Sequence, residues 1–333
     1  MINFPDITKF QRITLTPGMK RCPEPFDKLR TGSVEGLIVM SDMHKGDGSG
    51  ADDFAQNSLI YCRALEHYLE NDFTFVELGD AEELWENDKF EQIYITHADT
   101  YDLLAKFHDP DPEKTRYLKV WGNHDLYWRN NQNIYQAIFP GIRIHEGIIL
   151  NDNILMIHGH QADPVCCGTI SSALSQFFVD HIWANLQKTG VKDFTTRAAG
   201  NPGIGDEVDK RLYDWATCNN KGISTIIAGH THRAVFENLS LTEMRLQAFK
   251  KLFPKRTNRK TDRNTCYFNT GCCVHPRSIT GLEITMTDGV LSSEPAAPPA
   301  GVVEGSKGKI NFQLVEWKFC TTGMAVSIGR VEL

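Results

Sequence analysis

At 333 residues the chain is long enough to bury a full core, as one large domain or two ordinary ones. Hydrophobic residues make up 41% and charged residues 23%, the profile of a globular soluble protein, and no apolar run approaches bilayer-spanning length. The net charge of −7 argues against a general nucleic-acid coat, and nine cysteines without a C-x-x-C pair read as reduced thiols.

Residues 1–35 are rich in proline and charge and are expected to form an irregular N-terminal arm. They contain no apolar signal-peptide core, so a cytoplasmic location is expected. One domain then fills residues 36–333. Gly36 to Met40 predicts a buried strand that ends in Ser41-Asp42-Met43-His44. Residues 52–70 place Phe54, Leu59, Cys62, Leu65 and Leu69 near helical spacing. Phe73 to Leu78 predicts a second strand, running into Gly79-Asp80, and a helical stretch follows around 89–107. Tyr117 to Trp121 predicts a third strand before Gly122-Asn123-His124-Asp125. Ile154 to Ile157 precedes His158-Gly159-His160, and Thr225 to Ala228 precedes Gly229-His230-Thr231-His232.

Between those last two strands lies a helical insertion, about 165–222, with helices expected near 169–188 and 205–219. Apolar positions in the first of these helices point to core packing ahead of a lid. A basic loop, about 249–264, carries seven lysines and arginines between Lys250 and Arg263. From about 265 onward short β-like runs dominate, at 266–269, 279–285 and 310–319. They are interrupted by a flexible Pro/Ala/Gly loop, about 293–309.

Five apolar strands thus each deliver Asp, Asn or His at the C-terminal end, where α/β folds gather ligands and catalytic groups. Two adjacent divalent cations need hard or borderline donors, with one carboxylate shared to offset their repulsion. Asp42 and His44 can grip one cation, Asp80 is the natural bridge, and Asn123, His158, His230 and His232 complete the set. A lone D-x-H triplet arises often by chance, but the five clusters in this order make chance a poor account.

The order D-x-H, G-D-x-x-E, G-N-H-D, H-G-H and G-H-T-H resembles the calcineurin-like metallophosphoesterase superfamily over about 36 to 285. The resemblance implies a four-layer α/β/β/α sandwich and a metal-dependent phosphoric ester hydrolase. It implies Asp42, His44, Asp80 and His232 on one metal, and Asp80, Asn123, His158 and His230 on the other. His124 would stand over the leaving group with Asp125 orienting its ring, while Glu83 would sit behind the ligands. His160 is read the same way as Glu83. A hydroxide bridging the metals would attack phosphorus in line, hydrolysing a phosphomonoester, phosphodiester or pyrophosphate. Manganese is the first expectation for the metals, with iron or zinc as alternatives.

The segment Gly79-Asp80-Ala81-Glu82-Glu83-Leu84-Trp85 and the Asn269-Thr270-Gly271 turn are similar to the UDP-2,3-diacylglucosamine hydrolase-like branch. That branch usually carries arginine where His124 stands, so the hydrolase chemistry is implied and the lipid substrate is not. Arg233, His275 and Arg277 are candidate substrate-binding residues, since an arginine beside the metals can grip a phosphate bidentately. Two other classes stay open: a nuclease that binds nucleic acid through the basic loop, and a non-catalytic metal-binding scaffold.

Overall fold

The computed structural model describes residues 6–15, 33–34, 36–163, 202–219, 222–236, 239–240, 266–288, 308–318 and 326–332. Its first elements are β1 (Gln11–Leu15), β2 (Ser33–Val34), β3 (Gly36–Met40), α1 (Ser58–Glu70) and β4 (Thr74–Leu78). Then come α2 (Phe90–Thr96), α3 (Ala98–Phe107), β5 (Tyr117–Val120), α4 (Gln132–Gln136), β6 (Ile144–His145), β7 (Gly147–Leu150) and β8 (Ile154–Ile157). The C-terminal half gives α5 (Pro202–Asn219), β9 (Thr225–Ala228), β10 (Ala234–Phe236), β11 (Leu239–Ser240) and β12 (Cys266–Thr270). Three longer strands finish it: β13 (Ser278–Asp288), β14 (Gly308–Lys318) and β15 (Val326–Glu332).

Alternation along the strands decides the layers, because successive side chains leave a strand on opposite faces. In β3, Leu37 and Val39 join Val76, Leu78, Ile148, Met156, Ile227 and Phe268 in a core between two sheets. Ile38 and Met40 turn the other way and pack with Phe75 against Tyr61, Leu65 and Leu104 of α1 and α3. On the far side, Ile149, Leu155, Ile226 and Ala228 meet Val208 and Leu212 of α5. Three cores separate four layers, the α/β/β/α sandwich expected from the motifs. Each fully buried Leu, Ile or Phe in them stabilises the stack by about 1.5–3 kcal/mol.

One sheet runs β11-β10-β12-β9-β8-β7-β1-β2 and the other β15-β14-β13-β3-β4-β5-β6. Strands β3, β4, β5 and β6 are parallel neighbours, so β3, β4 and β5 end on one edge of their sheet. Strands β8, β9 and β12 are parallel neighbours in the other sheet and end together as well. The five motif-bearing loops therefore leave from two facing edges.

Three expectations are modified. Residues 11–15, inside the stretch read as an irregular arm, form β1 and pair with β7 in parallel. The helical stretch at 89–107 is two helices, broken at His97, whose backbone departs from helical angles. The helix expected from 205 begins at Pro202 and forms the fourth layer. The expected helix near 169–188 and the basic loop lie outside the described residues, as does all of the Pro/Ala/Gly loop but its last two residues, which open β14. No helix among the described residues is long and apolar enough to cross a membrane.

Candidate metal centre

The loops after the strands bend sharply. Asp42, His44, Asp80, His230 and His232 all have positive φ, between 50° and 67°. Side chains beyond glycine avoid this region, and each such residue costs on the order of 1–3 kcal/mol unless its surroundings hold it. For Asp42, His44 and Asp80 the β3–β4 ladder continues past the strand ends and does the holding, and His230 N donates to Asp42 Oδ2 at 3.0 Å. Asp42 N donates to Gly79 O at 3.1 Å, His44 N to Asp80 O at 2.9 Å, and Lys45 N to Ala81 O at 3.0 Å. The glycine preceding a ligand also has a steric cause. A Cβ on Gly122 would collide with the Asp80 carboxylate, and one on Gly229 with Ser41 and the Asp42 carboxylate.

Six of the seven side chains singled out as ligands converge at the two sheet edges. Asp42, His44 and His232 form one trio and Asp80, His158 and His230 another, each with donor atoms within 4.8 Å of one another. His232 Nε2 lies 3.1 Å from Asp42 Oδ1 and 3.2 Å from His44 Nε2. Asp80 Oδ2 lies 3.1 Å from His158 Nε2 and 3.8 Å from His44 Nε2, and so faces both trios. Asn123, the seventh, is buried and precedes His124, whose backbone N–H donates to Asp80 Oδ1 at 2.8 Å.

Their tautomers are set from behind, as metal-binding histidines require. His158 Nδ1 donates to Leu78 O at 2.9 Å, His44 Nδ1 meets Glu83 at 2.7 Å, and His230 Nε2 meets Asp163 at 3.0 Å. This turns His158 Nε2 and His44 Nε2 toward the carboxylates.

Three donors in the cluster are buried without a hydrogen-bond partner: Asp42 Oδ1, Asn123 Oδ1 and His158 Nε2. The 3.1 Å approaches to Asp42 Oδ1 and His158 Nε2 lack hydrogen-bond alignment. A buried polar atom left unpaired costs about 1–3 kcal/mol. Buried atoms that lie close together yet make no hydrogen bond fit divalent cations. Their chemistry, carboxylate and amide oxygen with imidazole nitrogen, fits as well.

Electrostatics point the same way. Burial pushes the Asp42 carboxyl up, but His232 and His158 hold it down at about 2. Asp80 stays well below the usual carboxylate range: burial opposes this, and His158 and His124 overcome it. His44 is raised to about 10 and His158 to about 9 against their burial, by Glu83 and Asp80 respectively. Protons on His44 and His158 thus balance the carboxylates, and cations binding there would displace them.

His124 stands at the margin of the cluster. Its ring is edge-on to His44 at 4.6 Å and stacked on Trp85 at 4.2 Å. The expected partner for this ring was Asp125, and here the structure corrects the sequence. His124 Nδ1 lies 2.7–2.8 Å from the Glu83 carboxylate, which also holds His44. Asp125 instead accepts backbone N–H groups of Ala81 at 2.9 Å, Asp80 at 3.3 Å and Gly122. It fastens the β4 and β5 loops together and does not orient the ring. Burial lowers the His124 pKa, but Glu83 and Asp80 outweigh it and leave the value raised.

Other candidates fall elsewhere. The Arg233 guanidinium pairs with Asp206 at 2.6 Å and lies 3.7 Å from Asp209, both on α5. His275 and Arg277 are exposed on the turn after β12, and among the described residues neither bonds to the seven expected ligands. The His160 ring sits 5.5 Å from His158 and 6.4 Å from His230, behind the cluster. Trp85 and the buried charges Lys45, Glu77, Glu82 and Lys119 were not among the expected site residues. A signal for them existed: Glu77 and Lys119 are lone charges inside the otherwise apolar strands β4 and β5.

Comparison with known proteins adds three findings. No curated protein sequence matches the chain. One similar solved structure is a conserved uncharacterized protein, a predicted phosphoesterase, from Streptococcus pneumoniae TIGR4. It is 14% identical, covers 88% of this chain and 97% of its own, and has a TM-score of 0.33. The calcineurin-like phosphoesterase family matches residues 37–234, well over half of the chain. That span holds every side chain from Asp42 to His232 that converges at the sheet edges, and the chain belongs to the calcineurin-like phosphoesterase family.

Proposed function

We propose that the chain hydrolyses a phosphoric ester with two divalent cations resident at the strand ends. The observation that carries this reading is the set of three partnerless buried donors, Asp42 Oδ1, Asn123 Oδ1 and His158 Nε2, among pinned histidines. Asp42, His44, Asp80 and His232 would hold one cation, and Asp80, Asn123, His158 and His230 the other. Manganese is the first choice for the mixed oxygen and nitrogen set, with iron or zinc as alternatives. Such cations supply neutralising charge for phosphoryl oxygens and acidify a coordinated water.

The chain's own part lies with His124. Glu83 favours its protonated form, so the ring can give a proton to the departing oxygen, an effect worth about 10²–10⁴ in rate. Trp85 fixes the ring plane by stacking, and Asp125 keeps the two loops in register. Phosphomonoesters, phosphodiesters and pyrophosphates all remain within this chemistry. The sequence around Asp80 and the Asn269-Thr270-Gly271 turn supports kinship with the UDP-2,3-diacylglucosamine hydrolase-like branch.

The test joins metal analysis to turnover. Purified protein should bind two metals per chain and hydrolyse chromogenic mono- or diesters when Mn is added. A chain that binds no metal, or that binds two and turns over no phosphoester, would refute the reading.

A further inference from the structure

A cavity of about 640 Å³ opens beside His124, between the loop after β4 and the segment leading into α4. Trp85 lines it and stacks on the His124 ring, so it adjoins the group assigned above to the leaving oxygen. Its uncharged wall is of two kinds. Leu84, Leu126 and Ile134 are apolar, and Tyr127 is 43% exposed at this surface, a large aromatic that folding has left uncovered. Asn130 and Asn131 add amides, each able to donate and accept.

Charge sharpens the picture. The charged residues around the cavity, apart from His124, are Asp88 and Glu91, both exposed; no lysine or arginine lines it among the described residues. Sites that take a second phosphate or a nucleic-acid backbone place arginine or lysine against it. This wall does the reverse and repels an anion. Aromatic faces with amides instead suit an uncharged ring that carries hydrogen-bonding edges.

We infer that this cavity receives the leaving group, and that the leaving group is an uncharged, ring-bearing alcohol. The substrate class is then a phosphomonoester of such an alcohol, not a pyrophosphate or a polyanion. The inference rests on the hydrolase reading above. In the step, a water oxygen bonds to phosphorus and the ester P–O bond breaks. The alcohol oxygen leaves with a proton, giving inorganic phosphate and the free alcohol.

The test uses the full chain loaded with Mn. Adenosine 5′-monophosphate, phenyl phosphate and glucose 6-phosphate have neutral ring leaving groups; adenosine 5′-diphosphate and inorganic pyrophosphate have anionic ones. At least one ring ester should exceed both anhydrides in kcat/KM by tenfold or more, although the anhydrides are chemically the more labile. Asp88→Lys with Glu91→Lys should shrink that ratio at least fivefold, a change in preference that a merely structural role would not produce. Hydrolysis with the anhydrides preferred, or a ratio unmoved by the double variant, would overturn this inference alone. No hydrolysis of any of the five by metal-loaded protein that still turns over a chromogenic phosphodiester would overturn this inference alone; no hydrolysis of mono- or diester alike would overturn the hydrolase reading with it. Independently of turnover, the alcohol products should quench tryptophan fluorescence in the metal-free protein, an effect lost in Trp85→Phe. No quenching by adenosine, phenol or glucose would count against the cavity.

Discussion

Two clusters of buried charge adjoin in this protein, and they are built on opposite terms. In one, Lys45 meets Glu77 at 2.8 Å and Glu82 at 3.4 Å, while Lys119 meets both glutamates at 2.9 Å. Every member is completely buried, and the partners are over-supplied. Tyr61 and Tyr117 donate to Glu77, and Tyr101 and Trp128 donate to Glu82. In the other cluster, Asp42, Asn123 and His158 each keep a buried atom with no partner. The two share their loops residue by residue: His44 belongs to one and Lys45 to the other, Glu83 to one and Glu82 to the other.

The contrast separates fold from function. Two positive and two negative charges cancel within the square, so the chain completes it alone. Such a square has little net worth against an apolar replacement but is costly to break, and here it pins the loops that carry His44, Glu83 and His124. The second cluster leaves three buried atoms that no hydrogen bond within the described residues completes, and in the proposed reading cations complete them.

The comparison can be broken from either side. The largest effect is expected from Asp80→Ala, which removes the carboxylate that faces both trios. Metal content should fall to the background of mass spectrometry and activity should vanish. Two retained metals would end the bridging role.

Next in size is His124→Ala, expected to lower kcat by about 10²–10⁴ with both metals retained. The deficit should shrink for esters with acidic leaving groups, which need no proton; equal deficits across a leaving-group series would remove His124 as the acid.

On the structural side, Lys119→Met leaves two buried glutamates facing one lysine and should cost about 3–5 kcal/mol in urea unfolding. Folded protein should still bind its metals, and metal loss without loss of stability would contradict the division drawn between the clusters.

A smaller effect is expected from Glu83→Gln, about 10–100-fold in activity or metal affinity, because it weakens the hold on His44 and His124 together. Asp125→Asn should act differently, through stability and without changing the leaving-group dependence. A leaving-group dependence altered by Asp125→Asn and not by Glu83→Gln would restore Asp125 as the ring's partner.

The mildest test is pH. Burial opposes the ionised Glu77, but Lys119 and Lys45 bring it down from 4.5 to about 2. A lowered carboxylate contributes stability that is present above 4.5 and lost as pH falls through about 2. Urea midpoints should therefore decline on acidification below 4.5, and less steeply in Lys119→Met. An unchanged slope in that variant would show that Lys119 does not hold Glu77.

Much of this was written in the sequence. Apolar runs at 36–40, 117–120, 154–157 and 225–228 bury both strand faces whatever their neighbours are, so they became strands as expected. At the Gly-Asp, Gly-Asn and Gly-His steps the structure adds a steric reason for the glycine, a side chain that passes close to its backbone. What the sequence could not settle was which carboxylate reaches which ring. The resemblance implied Asp125 as the partner of His124, yet three backbone N–H groups claimed it. Glu83, 41 residues earlier, reaches the ring because β4 and β5 lie side by side. In the same way Lys119, a lone charge in strand β5, gains its partners only where Glu77 and Glu82 come within 2.9 Å. Local pattern determined the strands and their chemistry, because burial and backbone geometry act over a few residues. Pairing between charges was decided only by the tertiary structure, because it depends on which loops the sheet order makes adjacent.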